Sequence, residues 1–555
     1  MTLTDRARDW LGHDPDPTTR DELAGLIADA DRSRPGALAA LADRFAGPLE
    51  FGTAGLRGPV GAGQSRMNVA VVTRATAGVA RHLLDTVGAD ARVVVGCDAR
   101  HGSSAFRDVA LEVLSGAGLR ALALPARLPT PVTAYAVRAL DADAGVMITA
   151  SHNPPADNGY KVYLGGRAAD PDGRGVQIVP PADAQIAARI ADAPPADAVP
   201  RSTEHVEPVA DEVVEAYVSR MASHRRDPEP SRVRVVLTAM HGVGGATALR
   251  VLDAARITDV HVVAAQADPD PDFPTVAFPN PEEPGALDLA LALAADVDAD
   301  VVIALDPDAD RCSVAIPQAD RTWRQLTGDE LGALLGDQAA RDDSRPGTTL
   351  ACSIVSSRLL GRIAQAHGLR GVTTLTGFKW IARAPDLRFG YEEAIGYCTD
   401  PQAVRDKDGI GAAVRVVTLV EELAGRGVTL GGRLDELARQ HGLHATAQLS
   451  IRVDDLSRIR DAMTRLRARP LTVLAGSAVI ESVDLSVGSP DLPPTDGLMF
   501  RTAADDRVII RPSGTEPKLK CYLEVVFRCD DEVPRAAAAD RLARITEALS
   551  DAIRL

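Results

Sequence analysis

Twice along this chain a short, wholly apolar run breaks directly into a loop crowded with charged and turn-forming residues. Gly145-Val-Met-Ile-Thr149 leads into Ala150-Ser-His-Asn-Pro-Pro-Ala-Asp-Asn-Gly-Tyr-Lys161, and Asp300-Val-Val-Ile-Ala-Leu305 leads into Asp306-Pro-Asp-Ala-Asp-Arg311. Such runs read as buried strands. Helical patterns alternate with these and similar runs, among them Arg92-Val-Val-Val-Gly-Cys-Asp98, Val233-Arg-Val-Val-Leu237 and Thr349-Leu-Ala-Cys-Ser-Ile-Val355. That alternation predicts an α/β fold built from βαβ units. Open α/β sheets place their ligands outside the carboxyl ends of their strands, so the two loops are candidate functional sites.

At 555 residues the chain exceeds one hydrophobic core, and roughly 100–200 residues per domain predicts three to five domains. Residues 1–50 read as polar and helical, with an N-cap expected at Thr19 or Asp21. The Pro/Ala/Asp-rich stretch from Ala191 to Pro200 reads as a linker. Residues 1–205 are expected to hold this helical extension and the serine-loop domain, 206–325 the aspartate-loop domain, and 326–440 a third α/β domain. Residues 441–555 carry short alternating segments such as Ala478-Val-Ile-Glu-Ser-Val483, then a helix near 534–553. They predict a smaller α+β domain with an antiparallel sheet.

The net charge of −16 and the 3% aromatic content argue against a nucleic-acid partner, which needs a basic patch and stacking platforms. An anionic small substrate is compatible, because loops can be locally basic within an acidic protein. Six cysteines show neither CxxC pairing nor a disulfide framework. No secretory pattern opens the chain, and no apolar run reaches the ~18–20 residues of a membrane span. The expected compartment is the cytoplasm, with no membrane and no obligate protein partner.

Ser151 stands just past a strand, with His152 beside it and Lys161 further on; it reads as a candidate nucleophile or as part of an ordinary turn. Asp306, Asp308 and Asp310, at alternate positions, would project to one side of an extended segment. Three converging carboxylates need a cation, and all-oxygen donors favour a hard ion, Mg²⁺ or Ca²⁺. Mg²⁺ is the expectation for phosphate chemistry; the plain reading is a solvated acidic turn.

In Gly390-Tyr-Glu-Glu-Ala-Ile-Gly396, Glu392 and Glu393 are candidate acceptors for sugar hydroxyls, or a solvated turn. In Arg511-Pro-Ser-Gly-Thr-Glu-Pro-Lys518, Arg511 supplies a fork for phosphate. Ser513, Thr515 and the amides near Gly514 add donors for an anion nest. Phe51-Gly-Thr-Ala-Gly-Leu-Arg-Gly58 places Arg57 among glycines, to approach a phosphate or simply to turn. Only five of the 61 basic residues are lysines. These five, Lys161, Lys379, Lys407, Lys518 and Lys520, all fall in or beside suspected loops. A lysine with a depressed pKa can move protons where arginine cannot.

Together these loops resemble, in order and over nearly the whole chain, those of the α-D-phosphohexomutase superfamily, the phosphoglucomutase/phosphomannomutase enzymes. Thr149-Ala-Ser-His-Asn-Pro resembles the phosphoserine loop and Asp306-Pro-Asp-Ala-Asp-Arg311 the metal loop. The resemblance implies three similar α/β domains with mixed sheets and a smaller, mobile C-terminal α+β domain around a central cleft. It implies Mg²⁺ on Ser151, Asp306, Asp308 and Asp310, and a sugar bisphosphate of the glucose 1,6-bisphosphate type as intermediate and activator. Ser151, Arg57 and Lys161 are then the catalytic candidates. His152, Arg311, Thr376, Gly377, Lys379, Glu392, Glu393, Lys407, Arg511, Ser513, Gly514 and Thr515 are the candidates for binding the phosphosugar. The implied reaction interconverts sugar 1-phosphate and 6-phosphate, glucose first. Many relatives carry Glu-x-Ser where this chain has Glu392-Glu-Ala394, a pattern resembling the branch with phosphopentomutases. Phosphopentomutase and phosphomannomutase activity are therefore alternatives; a metal-dependent phosphatase or a non-enzymatic sugar-phosphate binder is a remoter reading.

Overall fold

The apolar runs form the parallel centres of two mixed sheets. In the computed structural model, which describes residues 2–52, 55–343, 345–490, 492–513 and 518–553, Val93 to Val95 and Val146 to Ile148 are fully buried. Their strands, Arg92–Cys97 and Ala144–Ile148, pair in parallel. The sheet runs in the order Leu56–Pro59, Asp157–Leu164, Ala144–Ile148, Arg92–Cys97, Arg120–Ala123, Val206–Pro208. Asp157–Leu164 returns antiparallel beside Ala144–Ile148, so the serine loop is the turn between the last inner strand and its reversed neighbour. The second sheet repeats this device. Val235–Thr238, Val260–Val262 and Val301–Leu305 are parallel, and Cys312–Pro317 returns antiparallel to Val301–Leu305. The aspartate loop is that turn.

The chain forms two compact units, Met1–Leu326 with Gly396–Glu421, and Thr327–Ile395 with Glu422–Leu555. In the second unit, Arg370–Thr374 and Leu387–Glu392 flank Thr349–Ser353, all parallel. The C-terminal region is an antiparallel sheet ordered Leu443–Arg452, Lys518–Phe527, Arg507–Pro512, Leu498–Thr502, Ser477–Asp484, Val473–Leu474. Its apolar face is covered by the helices Leu456–Ala468 and Arg535–Ile553 through Ile459, Met463, Leu542 and Ile545. Among the described residues no helix is long and apolar enough to cross a membrane.

Three expectations change. The N-cap is Asp16, whose side chain accepts from Thr18 N, with Pro17 in the first turn. Proline's fixed φ suits that position, and Thr19 lies inside the helix, donating to Asp14 Oδ2 at 2.7 Å. The stretch 191–200 is no loose linker: Val199 is buried and the backbone at Pro200 lies against Gly116. The chain then adds Val206–Pro208 to the first sheet, past the expected boundary at 205. Residues 396–421, within the third sequence block, pack with the first compact unit.

Candidate active site

The serine–aspartate cluster of the first unit is assembled by these two turns. Ser151 has φ +50°, Ala309 +56° and Ile395, in the third such loop, +53°. A non-glycine residue there costs about 1–3 kcal/mol and persists only when its surroundings impose it. For the serine loop the surroundings are mostly Arg100, which is buried. Its Nη2 donates to the Ser151 and Asn153 carbonyls, both at 2.6 Å. Its Nη1 donates to Pro154 O at 2.8 Å and Asp157 O at 3.1 Å. The sequence reading missed Arg100, although it too stands just past a buried strand, Arg92–Cys97.

Ser151 is buried, and its Oγ donates to Asp306 Oδ2 at 2.6 Å. The alternate aspartates do converge, but not along an extended segment. The loop turns at Ala309, whose amide donates to the Asp306 carbonyl at 2.8 Å. One carboxylate oxygen from each of Asp306, Asp308 and Asp310 lies within 4.8 Å of the others. All three side chains are buried. Glycines elsewhere let backbone close on this turn. A Cβ at Gly242 would sit 2.4 Å from Pro307 Cα, and one at Gly409 would sit 2.3 Å from the Arg311 carbonyl oxygen.

Cations meet the carboxylates directly. Lys161 Nζ donates to Asp308 Oδ2 at 2.8 Å and Asp310 Oδ2 at 2.9 Å, and Lys407 Nζ lies 3.1 Å from Asp310 Oδ2. Thr130 Oγ1, unmarked by the sequence reading, donates to Asp308 Oδ2 at 2.6 Å. Arg311 N donates to Asp306 Oδ1 at 3.0 Å. Arg57 stands on Leu56–Pro59, opposite Gly159, and donates to Asn153 Oδ1 at 2.8 Å. Burial opposes ionisation of Asp308 and Asp310, but lysine neighbours outweigh it and hold both carboxyls below the usual range. Burial, then Asp308 and Asp310, holds Asp306 well above it. Burial works against a charged Lys161, yet Asp308 and Asp310 leave its pKa raised. In this arrangement Lys161 pairs with both aspartates. Burial, Arg311 and Arg57 push His152 well below its ordinary value, so the imidazole is neutral near pH 7.

The residues fit a hard divalent cation. Asp308 Oδ1 and Asp310 Oδ1 are buried without a hydrogen-bond partner, a costly state for a carboxylate oxygen unless a cation takes it. Asp306, Asp308, Asp310 and an oxygen on Ser151 are the groups that would hold it.

The second unit holds the remaining candidates. Glu392 ends the strand Leu387–Glu392. Glu393 Oε2 accepts from Ser353 Oγ at 3.1 Å and Ser356 Oγ at 3.2 Å. Burial, then Glu392 and Asp329, push its carboxyl up to about 7. Thr376 and Gly377 precede the short helix Phe378–Ile381, which carries Lys379. This helix packs on the same strand, where a Cβ at Gly390 would sit 2.5 Å from the Ile381 Cγ2 methyl. Arg511 closes the strand Arg507–Pro512, and Ser513 N donates to Lys518 O at 2.8 Å. Gly514 and Thr515 lie outside the described residues, as do Thr53 and Ala54 of the Arg57 segment.

The comparisons with known proteins agree along the chain. Residues 48–195, 215–319 and 327–441 match the phosphoglucomutase/phosphomannomutase alpha/beta/alpha domains I, II and III. Residues 454–543 match that family's C-terminal domain. A Haemophilus influenzae protein named "Probable phosphomannomutase" is 45% identical over 474 residues, covering 85% of this chain and 96% of that one. The mouse phosphopentomutase is 34% identical over 575 residues, covering 94% and 90%. The solved structure of a phosphoglucomutase/phosphomannomutase family protein from Burkholderia thailandensis shares the fold, with a TM-score of 0.69 at 21% identity over 91% of this chain and 97% of that one. Fold and matches define an intramolecular phosphotransferase of the isomerase type, acting on sugar phosphates. The chain belongs to the phosphoglucomutase/phosphomannomutase family, within the α-D-phosphohexomutase superfamily.

Proposed function

We propose that this enzyme interconverts glucose 1-phosphate and glucose 6-phosphate, with Ser151 as the phosphoryl carrier. The observation that carries the reading is Ser151 Oγ, presented by a strained turn 2.6 Å from Asp306 Oδ2. In the first half-reaction a sugar hydroxyl oxygen attacks the phosphorus on Ser151. The new O–P bond forms, the P–Oγ bond breaks, and the hydroxyl proton ends on Oγ. The bisphosphate turns over in place, and the reverse transfer returns its other phosphoryl group to Ser151. A free sugar bisphosphate loads the serine and so acts as activator.

Lys161, Lys407 and Arg311 offset charge on the transferring group, and Arg100 holds the serine loop in place throughout. Mg²⁺, when bound on Asp306, Asp308, Asp310 and a phosphoserine oxygen, adds electrostatic stabilisation of that group. Glu392 and Glu393 accept from adjacent sugar hydroxyls. Arg511 and Ser513, with Gly514 and Thr515, hold the phosphate that is not reacting, and Thr376, Gly377 and Lys379 orient the sugar. Four domains bounded near 205, 325 and 440 carry these parts. The six free thiols suit a reducing compartment such as the cytoplasm.

Paired carboxylates in one loop suit a sugar phosphate with two adjacent ring hydroxyls. A pentose phosphate is the second reading, favoured by Ala394 in place of a serine hydroxyl and by the likeness to the mouse phosphopentomutase. Intact-mass measurement after incubation with glucose 1,6-bisphosphate should add one phosphoryl group to the wild type and none to Ser151→Ala. An unlabelled wild type rejects the mechanism. Coupled rates on glucose, mannose and ribose 1-phosphates then rank the sugars, and a ribose preference rejects the glucose assignment.

A further inference from the structure

A cavity of about 480 Å³ opens on the first unit, lined in part by Tyr135, Arg138, Asp141, Arg174, Arg220 and Gln402. Three arginines line this space in a chain of net charge −16. Arg220 is itself paired with Asp400 through bonds of 2.6 and 3.1 Å, so the charge available to a ligand comes first from Arg138 and Arg174. Arg138 Nε donates to Gln402 O at 3.1 Å and its Nη1 to Arg174 O at 2.6 Å. These bonds fix the guanidinium plane while Nη2 donates to none of the described residues. Arg174 is exposed and forms no ion pair among them. Burial, then Arg405, pushes Arg138 below its ordinary pKa.

Three elements run from this wall to the serine–aspartate cluster. The helix Thr130–Ala139, about 15 Å long at 1.5 Å per residue, carries Arg138 near its end and Thr130, the donor to Asp308, at its start. The strand Asp157–Leu164 carries Lys161 and leads into Gly165, which lines the cavity. Gln402 belongs to the loop that delivers Lys407 to Asp310.

We propose that this cavity is a second anion site, apart from the serine–aspartate cluster, which takes a small phosphate-bearing effector on Arg138, Arg174 and Arg220. Planar guanidiniums in fixed orientation are the side chains that hold phosphate oxygens in pairs. Because three elements join it to the cluster, occupancy alters turnover.

The test labels arginines of the whole protein with phenylglyoxal, with and without inorganic pyrophosphate, and reads each peptide by mass spectrometry. Saturating pyrophosphate should slow labelling of Arg174 and Arg220 about tenfold and leave Arg34, which is exposed at the surface, unchanged. Arg138→Gln should remove the protection at Arg174, and Arg174→Ala the protection at Arg220. Parallel arms with inorganic phosphate and glucose 6-phosphate separate a free polyphosphate from a phosphate ester as the natural ligand class. Unchanged labelling of Arg174, equal slowing at Arg34, or protection that survives both variants overturns the site. Steady-state rates against pyrophosphate should differ between wild type and Arg174→Ala, and superimposed curves overturn the coupling. Labelling does not depend on turnover, so its failure and a failure of the Ser151 mechanism are distinguishable.

Discussion

The Asp306–Asp308–Asp310 cluster of the first unit and the Glu393 and Glu524 sites of the second solve the same problem differently. In the first, three buried carboxylates are met by Lys161, Lys407 and Arg311, and two of them stay well ionised. In the second, Glu524 is 1% exposed, yet Arg507, His444 and Arg358 overcome its burial and hold it well below the usual carboxylate range. Its oxygens accept from Ser357 Oγ at 2.8 Å and Arg358 Nε at 2.5 Å. Glu393 is less buried than Glu524, but burial and then the like charges of Glu392 and Asp329 raise it to about 7, and its serine hydroxyl partners do not offset them. Burial raises each of these carboxyls, and whether the group stays ionised depends on whether cationic partners outweigh that burial and the neighbouring carboxylates.

The largest effect should come from breaking the first cluster. Asp308→Asn removes a charge that Lys161 and Thr130 share, and coupled assays should show a loss of about 10³-fold or more in kcat. Near-normal turnover would mean the aspartates are only a structural turn. Glu524→Gln should be the costliest change for stability, because Arg358 and Arg507 lose their buried counter-charge; about 3–5 kcal/mol is expected, read as a lowered thermal midpoint. A shift of less than a degree would show that the arginines need no anion.

Gly409→Ala should cost about 1–3 kcal/mol through overpacking against the Arg311 carbonyl. It should also lower kcat by displacing Lys407, and a crystal structure would show the shift directly. The mildest change should be at Glu393. Its folded pKa is raised, so the native state holds a proton that the unfolded chain has lost between pH about 4.5 and 7. Stability should therefore fall as pH rises through that window. Glu393→Gln should flatten that fall in the thermal midpoint, and an identical slope would remove the titration from Glu393.

Much of the site was legible because its parts are local in the chain. Ser151 and the three aspartates each follow an apolar run, and loops after such runs lie at sheet edges whatever the details of packing. What deceived the local reading was geometry within the loops. The aspartates at alternate positions suggested an extended segment, yet a turn at Ala309 gathers them. The lysine count drew attention to all five lysines, Lys407 as a phosphate-contacting candidate and Lys161 as a proton-transfer one, but nothing local shows that two aspartates would meet Lys161.

Other features were invisible for a different reason. Arg100 bonds to four carbonyls between 51 and 57 positions away, and Thr130 meets Asp308 across 178. Glu524 meets Arg358 across 166. Nothing in a neighbouring residue announces such partners, since only the stacking of whole elements brings them together. The third sequence block looked continuous, yet residues 396–421 pack with the first unit.

By itself, then, the sequence determined the α/β class, the four family domains and the loops that bear the chemistry, because strand periodicity, turn composition and motif spacing are properties of short stretches. Only the tertiary structure decided which cation meets which carboxylate, which groups stay charged, and where a second set of arginines gathers, because those depend on contacts made between elements far apart in the chain.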